Sequence, residues 1–161
     1  MRIVEHTLST LKKEHPELTK VFLCQDNAGC YHCAQMLASC AQMKAKTGTA
    51  VARVDFSDPQ GGKGSCDRKA ATIKAHVKRF INEGHDVLNA VDFKNAMLSH
   101  GGIRDVRVVV VDASTAEKDT QLQTKWEGIS SLNNFLYSDN TVIVWRADNV
   151  GVGKHIESKH I

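Results

Sequence analysis

The chain has 161 residues, 42% hydrophobic and 24% charged, enough for one globular domain with a core and too little for two sizeable ones. Its formal net charge is +3 and its pI about 8.6, a mild basic excess that permits a polyanionic partner without requiring one. No apolar run reaches the roughly 18 to 20 residues of a membrane span and the opening segment is too charged for a secretory signal, so the sequence predicts a soluble, nuclear or cytoplasmic chain with no membrane partner. Five cysteines, an odd number, fit reduced thiols in such a compartment.

Ile3, Val4, Leu8 and Leu11 recur at helical spacing, with Lys12, Lys13 and Glu14 closing the segment before Pro16 stops it. Lys20 to Cys24 is a short apolar run suited to a buried strand, ending at Gln25-Asp26-Asn27. Helix is expected from Ala28 to Lys44, with Thr47-Gly48 as its exit, and a strand from Thr49 to Phe56. A glycine-rich loop, Ser57 to Ser65, then leads into a helix with an apolar stripe of Ala70, Ile73, Val77, Phe80 and Ile81. Its other sides carry Arg68, Lys69, Lys74, Lys78 and Arg79, and Gly84 ends it. Asn89 to Ser99 reads as a further helix closed by Gly101-Gly102. Val106 to Val111 reads as a strand, Phe135 to Tyr137 and Thr141 to Arg146 as a hairpin about Ser138-Asp139-Asn140, and the last eleven residues as frayed.

Four cysteines crowd between Cys24 and Cys40. Cys30 and Cys33 form a C-x-x-C pair, but a structural zinc site needs a second pair and only Cys66 follows, so no zinc is expected. Read as helix, Cys30, Cys33, Leu37 and Cys40 fall on one face, where thiols behave as small hydrophobes. The glycines before Lys63 and Lys154 suggest phosphate loops, yet the required earlier glycine is replaced by Ser57 and Asp148.

Two carboxylates remain. Asp26 lies at a strand end and Asp67 at the start of the basic helix. Brought together at one sheet edge, such a pair can hold magnesium or manganese, which orients a nucleophile and neutralises charge on a transferred phosphoryl group. Each is equally placed to cap the helix after it, since aspartate is a favoured N-cap.

The run from Asp26 through Asn27, Ala28 and Gly29, with Pro59, Gln60, Gly64, Asp67 and Arg68 after the next strand, resembles the ribonuclease H-like catalytic core of retroviral-type integrases and cut-and-paste transposases. The likeness is closer to a group of transposon-derived proteins whose longer chains often carry zinc fingers. It spans residues 17 to 154, with Gln25 and Cys33 as departures. The resemblance implies an α/β chain: a partial ribonuclease H-like core over residues 1–100, in the order helix, strand, helix, strand, helix, with a β-rich extension over 101–161 packed on it. In that family three antiparallel strands bearing a first catalytic aspartate precede the first helix, and these are expected to be missing here. The implied function is that of a truncated or domesticated transposase or integrase-like domain, ancestrally a metal-dependent DNA nuclease and strand transferase, expected to be inactive in this chain. The alternative is a non-catalytic module binding nucleic acid or protein. Asp26 and Asp67 would be the catalytic ligands of magnesium or manganese. Lys63, Arg68, Lys69, Lys74, Lys78 and Arg79 would contact DNA phosphates weakly, with a protein partner or self-association also open. The same basic set is equally the solvated face of an amphipathic helix.

Overall fold

Helix α1 (Arg2–Glu14) buries Leu8 and packs Val4 on the same cluster, as its apolar spacing requires, while Ile3 stays exposed. Lys12 reaches past the helix end, its Nζ donating to the carbonyls of Pro16 (2.7 Å) and Leu18 (2.9 Å), and so holds the turn into β1 (Lys20–Gln25). The computed structural model describes residues 2–29, 31–57, 64–112, 126, 128–138 and 141–157. The chain forms two compact units, residues 1–61 with 113–161, and residues 62–112.

In the first unit β1 pairs in parallel with β2 (Ala50–Phe56). The register slips between Val21 and Phe22, which face Val51 and Arg53. The extra residue, Ala52, resets the alternation, so that Val51, Val54 and Phe56 are all buried, which a strict two-residue period would forbid. Between these strands lie α2 (Ala34–Ala41) and α3 (Met43–Thr47), closed by Gly48 in the left-handed conformation. The helix expected from Ala28 starts later, at Ala34, because the amides of Tyr31 and His32 both turn back to donate to the Ala28 carbonyl at 2.9 Å.

Strands β3 (Asn134–Tyr137), β4 (Thr141–Trp145) and β5 (Lys154–Glu157) are antiparallel and extend the sheet in the order β1-β2-β3-β4-β5. Phe135, Val142 and Val144 join Leu8, Met36, Leu37, Cys40 and Met43 in one core. The fold is thus α/β, and the helix, strand, helix, strand, helix order is present. Strands β3–β5 follow that series, and β3 pairs with β2. Strand β5 replaces the frayed tail: it holds a single apolar residue, Ile156, too little pattern to read without its partner β4.

The second unit contains α4 (Ser65–Asn82), α5 (Ala90–Leu98) and a 3-10 turn, Ser99–Gly101. Its small core is Val77, Ala96 and Met97, flanked by Ile73, Phe80, Val87, Ile103, Val106 and Val108. Ala70 and Ile81, expected in the apolar stripe, are exposed. Val106–Val111 is not a strand: alternate valines pack on this core while Val109 and Val110 face solvent. The expected division at residue 100 is therefore redrawn, because residues 101–112 belong with α4 and α5, whereas β3–β5 bond into the sheet of β1 and β2. Among the described residues no helix is long and apolar enough to cross a membrane.

Candidate nucleic-acid interface and carboxylate positions

Asp26 directly follows β1 and is exposed. Its Oδ1 accepts from the Ala28 amide at 3.4 Å, a turn-forming contact; it does not cap α2, whose N-cap is Cys33. Asn27 reaches the other way. Its Oδ1 accepts from His32 Nδ1, and the His32 ring stacks on Phe56 (centroids 4.2 Å apart, 19° between planes) and meets Phe135 edge-on at 6.1 Å. That bond places the proton on Nδ1 and leaves Nε2 buried with no partner among the described residues. Asn27 thus pins the strand-end loop to the core, while Asp26 is left facing water.

Asp67 stands at the third position of α4, not before its start, because the helix begins at Ser65. Its Oδ2 accepts from the Gly64 amide at 3.0 Å, closing the first turn. The capping role is therefore realised for Asp67 at a different position from the expected one. Asp26 lies in the first unit and Asp67 in the second. Among the described residues no three His, Cys, Asp or Glu side chains form a group able to hold a metal.

The basic set sits on α4. Ile73, Val77 and Phe80 turn to the core, and Arg68, Lys74, Lys78 and Arg79 are exposed. Lys74 and Lys78 are one turn apart, and Arg68 and Arg79 about three turns apart on a neighbouring line, with the exposed Ala71 and Ala75 between. Lys69 is committed elsewhere, its Nζ donating to the Arg104 carbonyl at 3.0 Å. Lys63, with Pro59 and Gln60 of the preceding loop, lies outside the described residues.

Cys40 is fully buried and Cys33 half-buried, whereas Cys30 lies outside the described residues. Cys24 and Cys66 are exposed. Asp55, another carboxylate close to a strand end, is fully engaged: Arg53 Nε lies 2.8 Å from both its oxygens and Asn134 Nδ2 donates at 2.7 Å. Arg53 also binds Asp148 at 2.6 Å. Its guanidinium is held charged above the ordinary range, chiefly by the Asp55 hydrogen bond, with Asp148 adding. Asp55 is a structural ion-pair partner joining β2, β3 and the β4–β5 connection. Three features lay beyond sequence reasoning: the Asn27–His32 bond, the Arg53 network, and Glu83 bound to both Arg79 and His100. Only the Arg79–Glu83 pair, four apart on a helix, carried a readable signal.

A family model described as a domain of unknown function (DUF8701) matches residues 1–150. No curated protein and no solved structure matches the chain. With the match running from α1 through all of α4 and α5 to the end of β4 and beyond, this chain belongs to the DUF8701 family.

Proposed function

We propose that the chain is a nucleic-acid-binding domain of transposase or integrase descent that grips DNA phosphates through α4. The observation that carries this reading is the placement of charge. Residues 62–112 hold nine Lys and Arg against six Asp and Glu, so the whole formal excess of +3 lies in the unit built around that helix. Four exposed cations on α4, with alanines between them, let a phosphate backbone approach closely. Contacts of this kind give weak, sequence-tolerant binding that falls steeply with salt. The reading carries the expectation of a nuclear or cytoplasmic protein.

Ancestral cleavage chemistry would use Asp26 and Asp67 as magnesium or manganese ligands. Engagement of Asp67 in its helix cap favours binding without cleavage. Replacing Lys74, Lys78 and Arg79 together by alanine is expected to lower affinity for labelled duplex DNA and flatten its salt slope by about one per lost contact. Asp67→Asn, which keeps an acceptor for the Gly64 amide, should bind at least as well as wild type. DNA affinity unchanged in the triple variant defeats the reading. Magnesium-dependent nicking abolished by Asp26→Ala would instead establish an enzyme.

A second reading, a protein partner or self-association, is favoured by Val91 and Leu98, seven residues apart on the outer side of α5 and both exposed. Sedimentation of the wild type against a Val91→Ser, Leu98→Ser variant separates it from the first.

A further inference from the structure

One cation of the α4 face is already occupied. Arg79 Nε donates to Glu83 Oε1 at 3.0 Å, and the other oxygen of the same carboxylate lies 2.8 Å from His100 Nε2. Glu83 is the residue at which α4 ends. His100, 17 residues further on, arrives from the 3-10 turn after α5. It is held with φ 52° and ψ 32°, the left-handed region that favours glycine, and is followed by Gly101 and Gly102, also at positive φ. A side chain adopts that conformation only at a cost, and such strain marks functional positions.

The neighbours of the pair limit what it can do. His76 of α4 meets His100 edge-on with ring centroids 6.1 Å apart, and its Nε2 is 3.3 Å from Ser99 Oγ. Ser99 Oγ donates to the Ala96 carbonyl at 2.7 Å, so it accepts the His76 proton, and His76 is not a base acting on the serine. Arg79 of α4 therefore holds one side of the Glu83–His100 pair and the His76 ring the other. The turn adds Ser99, and α5 adds the Ala96 carbonyl.

We propose that Glu83 is an autoinhibitory carboxylate: it withholds Arg79 from phosphate while His100 is neutral, and releases it when His100 gains a proton. This rests on the phosphate-binding reading of α4. A neutral imidazole gives Glu83 only a neutral hydrogen bond, which leaves the ion pair to Arg79. An imidazolium shares the carboxylate charge, weakens its hold on Arg79 and adds a positive charge beside the face. Histidine is the side chain whose ordinary titration falls between pH 5 and 8. Glu83 itself is held below the usual carboxylate range, first by Arg79 and then by His100, and remains charged throughout that window.

The test is fluorescence anisotropy with a fluorescein-labelled DNA duplex at pH 8 and pH 6 and fixed ionic strength. Wild-type affinity is expected to rise about five-fold or more on acidification. Glu83→Gln should bind at pH 8 about as tightly as wild type does at pH 6. His100→Asn, a residue tolerated at positive φ, should keep the wild-type affinity at pH 8 and lose the rise. In DNA-free protein the Arg79 Nε–H resonance should move between the two pH values in wild type and stay fixed in His100→Asn. A rise that persists undiminished in both variants, or an Arg79 resonance that does not move in wild type, overturns the clasp and leaves phosphate binding intact. Absence of DNA binding at both pH values removes the phosphate reading and the proposal with it.

Discussion

Burial pushes the Cys40 thiol up to about 12 from an ordinary 9.0. The buried Tyr137 hydroxyl, which donates to the Leu37 carbonyl at 2.9 Å, is also raised, first by burial and then by Cys40. The sign follows from where the proton sits. Below pH 9 both folded and unfolded chains keep the thiol protonated and stability is intact. As pH climbs toward 12 only the unfolded chain ionises, so stability falls by at most about 1.4 kcal/mol per pH unit for Cys40. Urea denaturation from pH 8 to 11 should show that loss, and Cys40→Ala should reduce it, most clearly between pH 9 and 10 where Tyr137 does not yet contribute, even though its stability at pH 7 is lower. Asn27→Ala makes a different point: it leaves the His32 ring without its partner and should cost about 1–3 kcal/mol in the same assay. A cost near zero would mean that water replaces Asn27. Of these residues the sequence marked Cys40 as core by helical spacing. It could not mark His32, whose bond to Asn27 follows no helical or strand period.

Elements were readable where local pattern and tertiary packing agree. Helices α1, α4 and α5 carry their own periodicity, and α4 and α5 their own caps; Asn89 Oδ1, for example, accepts from the amides of Val91 and Asp92. Val106–Val111 shows the opposite case: β-branched residues favour strands, but with no strand paired to them among the described residues they serve as a one-sided cover on a helical core. The connection from β4 to β5 is decided by glycine. Gly153 has φ +73°, and a Cβ there would lie 2.7 Å from side-chain atoms of Ile143 and Trp145. Gly151 has a similar φ with nothing within 4 Å, and its carbonyl accepts from Trp145 Nε1 at 3.3 Å. Gly151→Ala should therefore cost about 1–2 kcal/mol from backbone strain alone. Gly153→Ala adds steric conflict of about 1–3 kcal/mol. Equal losses in thermal denaturation would show that the Trp145 contact yields freely.

At the scale of the whole chain the two units differ in how much they bury. Among the described residues the sheet unit has eleven buried residues in its main cluster and the helical unit three. Amide exchange protection tracks buried apolar packing, so amides of β2, β3 and β4 are expected to exchange more slowly than those of α4 and α5. Exchange mass spectrometry resolves the two sets. Slower exchange in α4 than in β3 would mean that packing not included in these clusters stabilises the helical unit.

The sequence by itself determined the α/β class, the helices with clear periodicity, the strands KVFLC and TAVARVDF, and the presence of a basic helix, since these depend on patterns within a few residues. Tertiary structure alone decided that β3–β5 continue the sheet from β2, that residues 101–112 pack with α4 and α5, and that a bulge at Ala52 sets the buried face of β2. It also decided which polar groups find distant partners, Asp55 with Asn134 and Lys69 with the Arg104 carbonyl. The physical reason is separation along the chain. Asp55 and Asn134 stand 79 residues apart, Tyr137 and Leu37 100 apart, and no local period encodes which partner will satisfy a polar group once the strands have paired.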